Sequence, residues 1–183
     1  MRNVAVLAPD GRAGSVTDIY FDDIRWCVRH LLVDTGHTMP QREILLDPSA
    51  IELGNPAHEA VRVTLTREQV QHCPDAGSDL PVSQQSGIAD VVARGDPHLR
   101  STEVCIGYAI EALDGAFGHL EDLLADDRDW SIASLVVLSA TWPGAQRILV
   151  PPMAVRAIDR PARRIQLALA RGQLRRPVLA RSR

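Results

Sequence analysis

Lysine is missing altogether: the 20 basic residues in this chain of 183 are all Arg. That gap removes Schiff-base chemistry, a lysine general base and the lysine of Walker-type phosphate loops. Aromatic residues are few, with three Trp, two Tyr and two Phe, so a core must be built from Leu, Ile, Val and Ala. The three cysteines, Cys27, Cys73 and Cys105, stand far apart and are odd in number. Neither a disulfide framework nor a zinc site fits that spacing, and small buried side chains are the expectation. No apolar run reaches the ~18 residues of a transmembrane helix, and the apolar stretch near the N-terminus is too short for a signal peptide. A cytoplasmic location is the default expectation.

What is present suits a globular chain, 45% hydrophobic and 23% charged with a formal net charge of -3. Its length allows one full domain or two small ones. Self-comparison favours two. Shifted by 104 residues, Asp10–Val70 aligns without a gap on Asp114–Leu174, with 16 of 61 positions identical; roughly four would be expected by chance for this composition. Asp10-Gly11, Gly14, Asp18, Asp22-Asp23, Trp26, Leu31 and Val33 recur as Asp114-Gly115, Gly118, Asp122, Asp126-Asp127, Trp130, Leu135 and Val137. Ile44-Leu45 and Pro48 recur as Ile148-Leu149 and Pro152, and Val61, Val63 and Leu65 as Ile165, Leu167 and Leu169. Residues 1–73 and 101–178 are read as two homologous modules and 179–183 as a basic tail. Residues 74–100, rich in Pro, Gly, Ser and Asp, are read as linker around one apolar segment, Ile88–Ala93, of strand or helical-turn character.

Each module reads as strands. Asp-Gly pairs mark turns. Gly14 and Gly118 fall where a missing side chain permits a bend or a close crossing. Ser15–Phe21 and Trp26–Val33 form the next two strands, the latter repeated as Trp130–Leu138. Trp26 and Val28 fall on one face and Leu31 and Val33 on the other, which requires a β-bulge between 28 and 31 or burial on both faces. Val61, Val63 and Leu65 alternate with polar residues as a half-wet strand. Thr66-Arg67-Glu68-Gln69 reads as a capping box before a short helical turn; Ala170-Arg171-Gly172-Gln173 lacks the cap and should fray. Small sheets hide their edges best by closing, so the fold class is all-β: two tandem small β-barrels with short helical turns, related by internal duplication and packed in a pseudo-two-fold arrangement.

These repeated residues, with Thr66-Arg67-Glu68-Gln69-Val70 and the following Pro81-Val82-Ser83-Gln84-Gln85, resemble the PRC-barrel family. That family is known from the cytoplasmic part of the photosynthetic reaction centre H subunit, the ribosome maturation factor RimM and stand-alone bacterial proteins. The resemblance covers most of the chain outside the linker. It implies PRC-barrel-like modules that dock to other proteins and assemble complexes, with links to RNA metabolism in a few members. Neither the membrane helix of the H subunit nor the N-terminal domain of RimM is expected from these 183 residues.

No enzyme is predicted, and no metal site or cofactor. Asp22-Asp23 and Asp126-Asp127 sit at turns, where Asp is ordinary. Asp18 and Asp122 lie inside strand pattern, where a carboxylate bonded to backbone amides or an Arg is expected. His119 with Glu121 is the best local pair for a metal, but the first module lacks it. Gly115-x-x-Gly118 lacks the third glycine and the helix of a phosphate loop. Charge asymmetry remains: from Trp130 onward there are ten Arg and one acidic residue, Asp159. Arg163, Arg164, Arg171, Arg175 and Arg176 are the candidate residues for binding an anion or partner. The leading expectation is a non-enzymatic protein-docking or scaffold protein, monomeric or homodimeric, with a contiguous exposed apolar patch. The alternative is an RNA- or ribosome-associated factor using the Arg-rich C-terminal region.

Overall fold

The computed structural model describes residues 3–36, 41–52, 60–85, 95–139 and 145–174. Two compact units are present, residues 1–103 with 127–130, and residues 104–126 with 131–183. Each is built on one mixed sheet with only short helical turns, which makes the protein all-β.

In the first unit β1 (Val4–Ala8), β2 (Gly11–Asp22), β3 (Cys27–Asp34), β4 (Glu43–Leu46) and β5 (Ala60–Arg62) are ordered β4-β3-β2-β1-β5, and β6 (Leu99–Ser101) pairs with β2 off that path. Only the β1–β5 pair is parallel among these. In the second unit β7 (Ala109–Ala112), β8 (Gly115–Ala125), β9 (Ile132–Ser139), β10 (Gln146–Val150), β11 (Val155–Asp159) and β12 (Arg164–Leu167) are ordered β10-β9-β8-β7-β12-β11. β7 and β12 are its parallel pair.

The edge strands β10 and β11 are consecutive in the chain and joined by one 3-10 turn, Pro152–Ala154, so the sheet must roll. The first sheet does the same: after the 3-10 turn Pro48–Ala50, Ile51 bridges Val63 just beyond β5. Among the described residues no ladder closes either sheet. Closure by hydrogen bonds is interrupted at these corners, where Pro48 and Pro151-Pro152 have no N–H to donate.

The local devices recur at the 104-residue offset. β2 carries an extra residue at Thr17 and β8 at Glu121; β3 carries one at Arg29 and β9 at Ala133. The Arg29 bulge brings Val28, Leu31 and Val33 into one core with Val6, Val16 and Ile44. Leu32 is buried too, on the other face, with Tyr20, Leu45 and Leu99. A bulge and two-sided burial therefore occur together. Trp26 does not join the strand. It sits in the turn at φ 52, stacked on Phe21 at 5.8 Å, and Trp130 takes the same backbone conformation at φ 59. β3 and β9 accordingly begin at Cys27 and Ile132 rather than at the tryptophans.

Gly14 and Gly118 are sites of close approach: a Cβ on either would overlap a backbone carbonyl oxygen of the adjacent strand, at Asp34 and Leu138 respectively. The Asp10 carboxylate accepts from the Arg67 amide at 2.9 Å, and Asp114 accepts from the Arg171 amide at 2.7 Å. Thr66 and Gln69 form the reciprocal capping box at the start of α1 (Arg67–Gln71). In the second unit Gln173 still accepts from the Ala170 amide at 2.9 Å, but the turn tightens to a 3-10 form, Arg171–Leu174.

Much of the stretch read as linker packs on the first unit. Leu45 N–H donates to Pro74 O, and Val82 N–H to Leu99 O, both within 2.9 Å. The Gln85 amide donates to Leu80 O and Asp96 O at 2.7 and 2.9 Å. The Ile88–Ala93 segment lies outside the described residues. No described helix is long and apolar enough to cross a membrane.

Candidate functional site

The β2–β3 turn collects charge in the first unit. Asp22, buried, accepts from the Ile24 and Arg25 amides at 2.9 and 2.8 Å and faces Arg29 at 3.3 Å. Burial opposes its charge, but the two amides and Arg29 together outweigh it and hold the carboxyl below the usual range. Asp23 takes His98 Nδ1 at 2.9 Å and Arg100 Nε at 2.6 Å, and so fastens the chain entering β6. The turn role expected for Asp22 is present, and Asp23 adds a tertiary tether.

Asp18 lies where β6 crosses β2. Its carboxylate accepts from Ser101 Oγ at 2.5 Å, Ile19 N at 2.8 Å and Glu103 N at 2.9 Å. Burial pushes its pKa up, against the lowering effect of those three donors. Burial also pushes the neighbouring Tyr20 hydroxyl up to about 12, with the Asp18 charge adding to it. Among the described residues no three or more His, Cys, Asp or Glu side chains are arranged to hold a metal. Glu121 instead bonds Arg147 through both oxygens, at 2.6 and 2.7 Å, and this pairing lowers its pKa.

A cleft of about 570 Å³ opens beside the Arg29 bulge. Val28, Arg29 and His30 of β3, the turn from Asp47 to Ile51, and residues Arg128–Trp130 line it, all belonging to the first unit. Trp130 packs on the apolar core behind it, and its carbonyl accepts from Val28 N at 2.9 Å. The polar walls are already engaged. His30 Nε2 meets Asp79 at 2.9 Å, Arg29 spans Asp22 and Asp96, and Asp47 accepts from Ser49 N at 2.8 Å. The Ser49 hydroxyl and amide hold the Asp47 carboxyl below its ordinary range. Such walls give a shaped polar surface. The sequence reading missed this cleft; the bulge at Arg29 was its one visible trace.

The Arg candidates of the second unit are dispersed among separate bonds. Arg163, at φ 49, lies 5.7 Å over the Tyr108 ring. Arg164 pairs with Glu111 at 2.9 Å, and Arg171 with Asp114 at 3.4 Å through Nε. Arg175 and Arg176 lie outside the described residues. Two large apolar side chains of the second unit are exposed, Leu113 at 63% and Met153 at 89%. Leu113 N donates to Leu169 O at 3.0 Å and Ala168 N to Ala154 O at 2.8 Å, so the turn that carries Leu113 and the 3-10 corner that carries Met153 both lie beside the chain leaving β12. Strand spacing puts their backbones about 10 Å apart. The first unit has Pro9 and Ser49 at these positions. No family model and no curated protein sequence matches this chain.

Proposed function

We propose that this is a non-catalytic, cytoplasmic protein-docking or scaffold protein, built from two tandem PRC-barrel-like modules related by internal duplication. The docking reading is supported by Leu113 and Met153, two large apolar side chains that are both largely exposed on the turn and corner beside the end of β12. Covering such side chains in a complex would gain about 25 cal/mol per Å² of apolar area removed from water. The duplication is supported by the bulges, glycine crossings and Asp caps that recur at one fixed offset. Against the RNA reading, two of the three described Arg candidates are already paired with carboxylates.

The test is an affinity pull-down from native lysate with the full chain and with Leu113→Glu/Met153→Glu, with and without nuclease, at low and raised salt. A protein partner that survives nuclease and salt and is lost with the double variant is expected. Recovery of RNA or ribosomal material that vanishes with nuclease or salt, equally for both proteins, would replace docking by the Arg-based reading.

A further inference from the structure

The long second strand of each sheet outruns its neighbour. β1 flanks β2 only as far as Val16, and further along the same edge β6 covers the rest: Tyr20 lies opposite Ser101, Phe21 opposite Arg100 and Asp22 opposite Leu99. β8 meets β7 as far as His119, and the loop before β7 reaches Leu120 through Gly107 N and Tyr108 O. Beyond that point, among the described residues, β8 pairs only with β9. The exposures follow. Tyr20 and Phe21 are 1% exposed and Asp18 is 7%, whereas their counterparts Leu124 (43%), Ala125 and Asp122 are all exposed.

We propose that the outer edge of β8 from Asp122 to Ala125 is a docking site for an extended segment of a protein partner, added as an antiparallel strand. β6 supplies the template for its chemistry: an aliphatic residue, then a basic residue, then Ser or Thr. In the register of β6 the hydroxyl residue stands opposite Leu124. Its hydroxyl and the amide two residues later then meet Asp122, as Ser101 Oγ and Glu103 N meet Asp18. Asp122 is already poised, because its Oδ1 accepts from Leu123 N at 2.8 Å just as Asp18 accepts from Ile19 N. The exposed carboxylate of Asp122 discourages indiscriminate pairing of the edge, and the basic residue of the template is taken from Arg100, which stands opposite Phe21 and pairs with Asp23 in the first unit. Main-chain hydrogen bonds supply affinity and the alternating side chains supply selection.

This deepens the docking reading and rests on it for its biological use, yet the two fail separately. The full ¹⁵N-labelled chain is titrated with a capped synthetic peptide of the Pro97–Glu103 sequence, followed by amide shifts. Saturable shifts at Asp122–Ala125 are expected, weakened about tenfold by Asp122→Ala and unaffected by Leu113→Glu/Met153→Glu. No shift at millimolar peptide, shifts confined to Tyr20–Asp22, or unchanged binding to Asp122→Ala would overturn the site. Peptide binding at β8 without any recoverable protein partner would overturn the docking reading and leave the site standing.

Discussion

Asp18 and Asp122 occupy the same place in the repeat under different cover, so substituting each by Ala compares a covered with an uncovered carboxylate. Asp18→Ala deprives the buried Ser101 hydroxyl and the Ile19 and Glu103 amides of their acceptor. An unsatisfied buried group costs about 1–3 kcal/mol; taking about 2 for the hydroxyl and about 1 for each part-buried amide gives about 4 kcal/mol. Removing a carboxyl whose charged form is penalised by burial returns about 1 kcal/mol, leaving about 3 kcal/mol. For a unit of about 100 residues that is a fall in Tm of about 12 °C. Asp122→Ala removes an exposed acceptor from a single amide and should stay within about 0.5 kcal/mol. Thermal unfolding by circular dichroism measures the difference. Amide hydrogen exchange assigns it to a unit, since the two need not unfold together. Exchange at Glu103 and Tyr20 should accelerate in Asp18→Ala alone. Equal shifts in the two variants would refute the claim that β6 makes the difference.

Stability against pH separates two other carboxyls by sign. The Asp18 pKa is raised above 3.8 in the folded protein, so the folded state holds its proton just above that value and stability falls as pH rises through the window. The Asp22 pKa is lowered, so its contribution is complete above 3.8 and is lost as pH falls through the folded value. Asp18→Asn should reduce the first loss and Asp22→Asn the second, read as urea midpoints from about pH 2 to about pH 6; the same response from both variants would contradict the assignment. Gly118→Ala drives a methyl into the Leu138 carbonyl and should cost about 3 kcal/mol in the second unit, measured by urea unfolding. A neutral result would mean that β8 and β9 separate there at little cost.

Local rules were readable wherever they involve neighbours in the chain. Thr66 and Gln69 announce their capping box because both partners lie within one turn, and the parity switch between Val28 and Leu31 announces a bulge because strands alternate. Trp26 misled as a strand residue. Its apolar side chain fits a strand, but the turn after Asp22-Asp23 needs a residue at positive φ, and Trp26 fills it. The cleft beside Arg29 was not legible, since Asp47, His30 and Trp130 are far apart in sequence and only packing within the first unit gathers them.

The repeat at 104 residues is visible in the residues alone, and short-range sterics and hydrogen bonding make the all-β class, the Asp-Gly turns and the close crossings at Gly14 and Gly118 legible with it. What those equivalent residues do depends on long-range packing. It placed Leu99–Ser101 over the first copy, burying Asp18 and Tyr20, and left Asp122 and Leu124 exposed in the second. The reason is physical: burial, and the pKa shifts and hydrogen-bond demands that follow from it, depends on which distant segment arrives. The residues that recur in both copies carry no record of that.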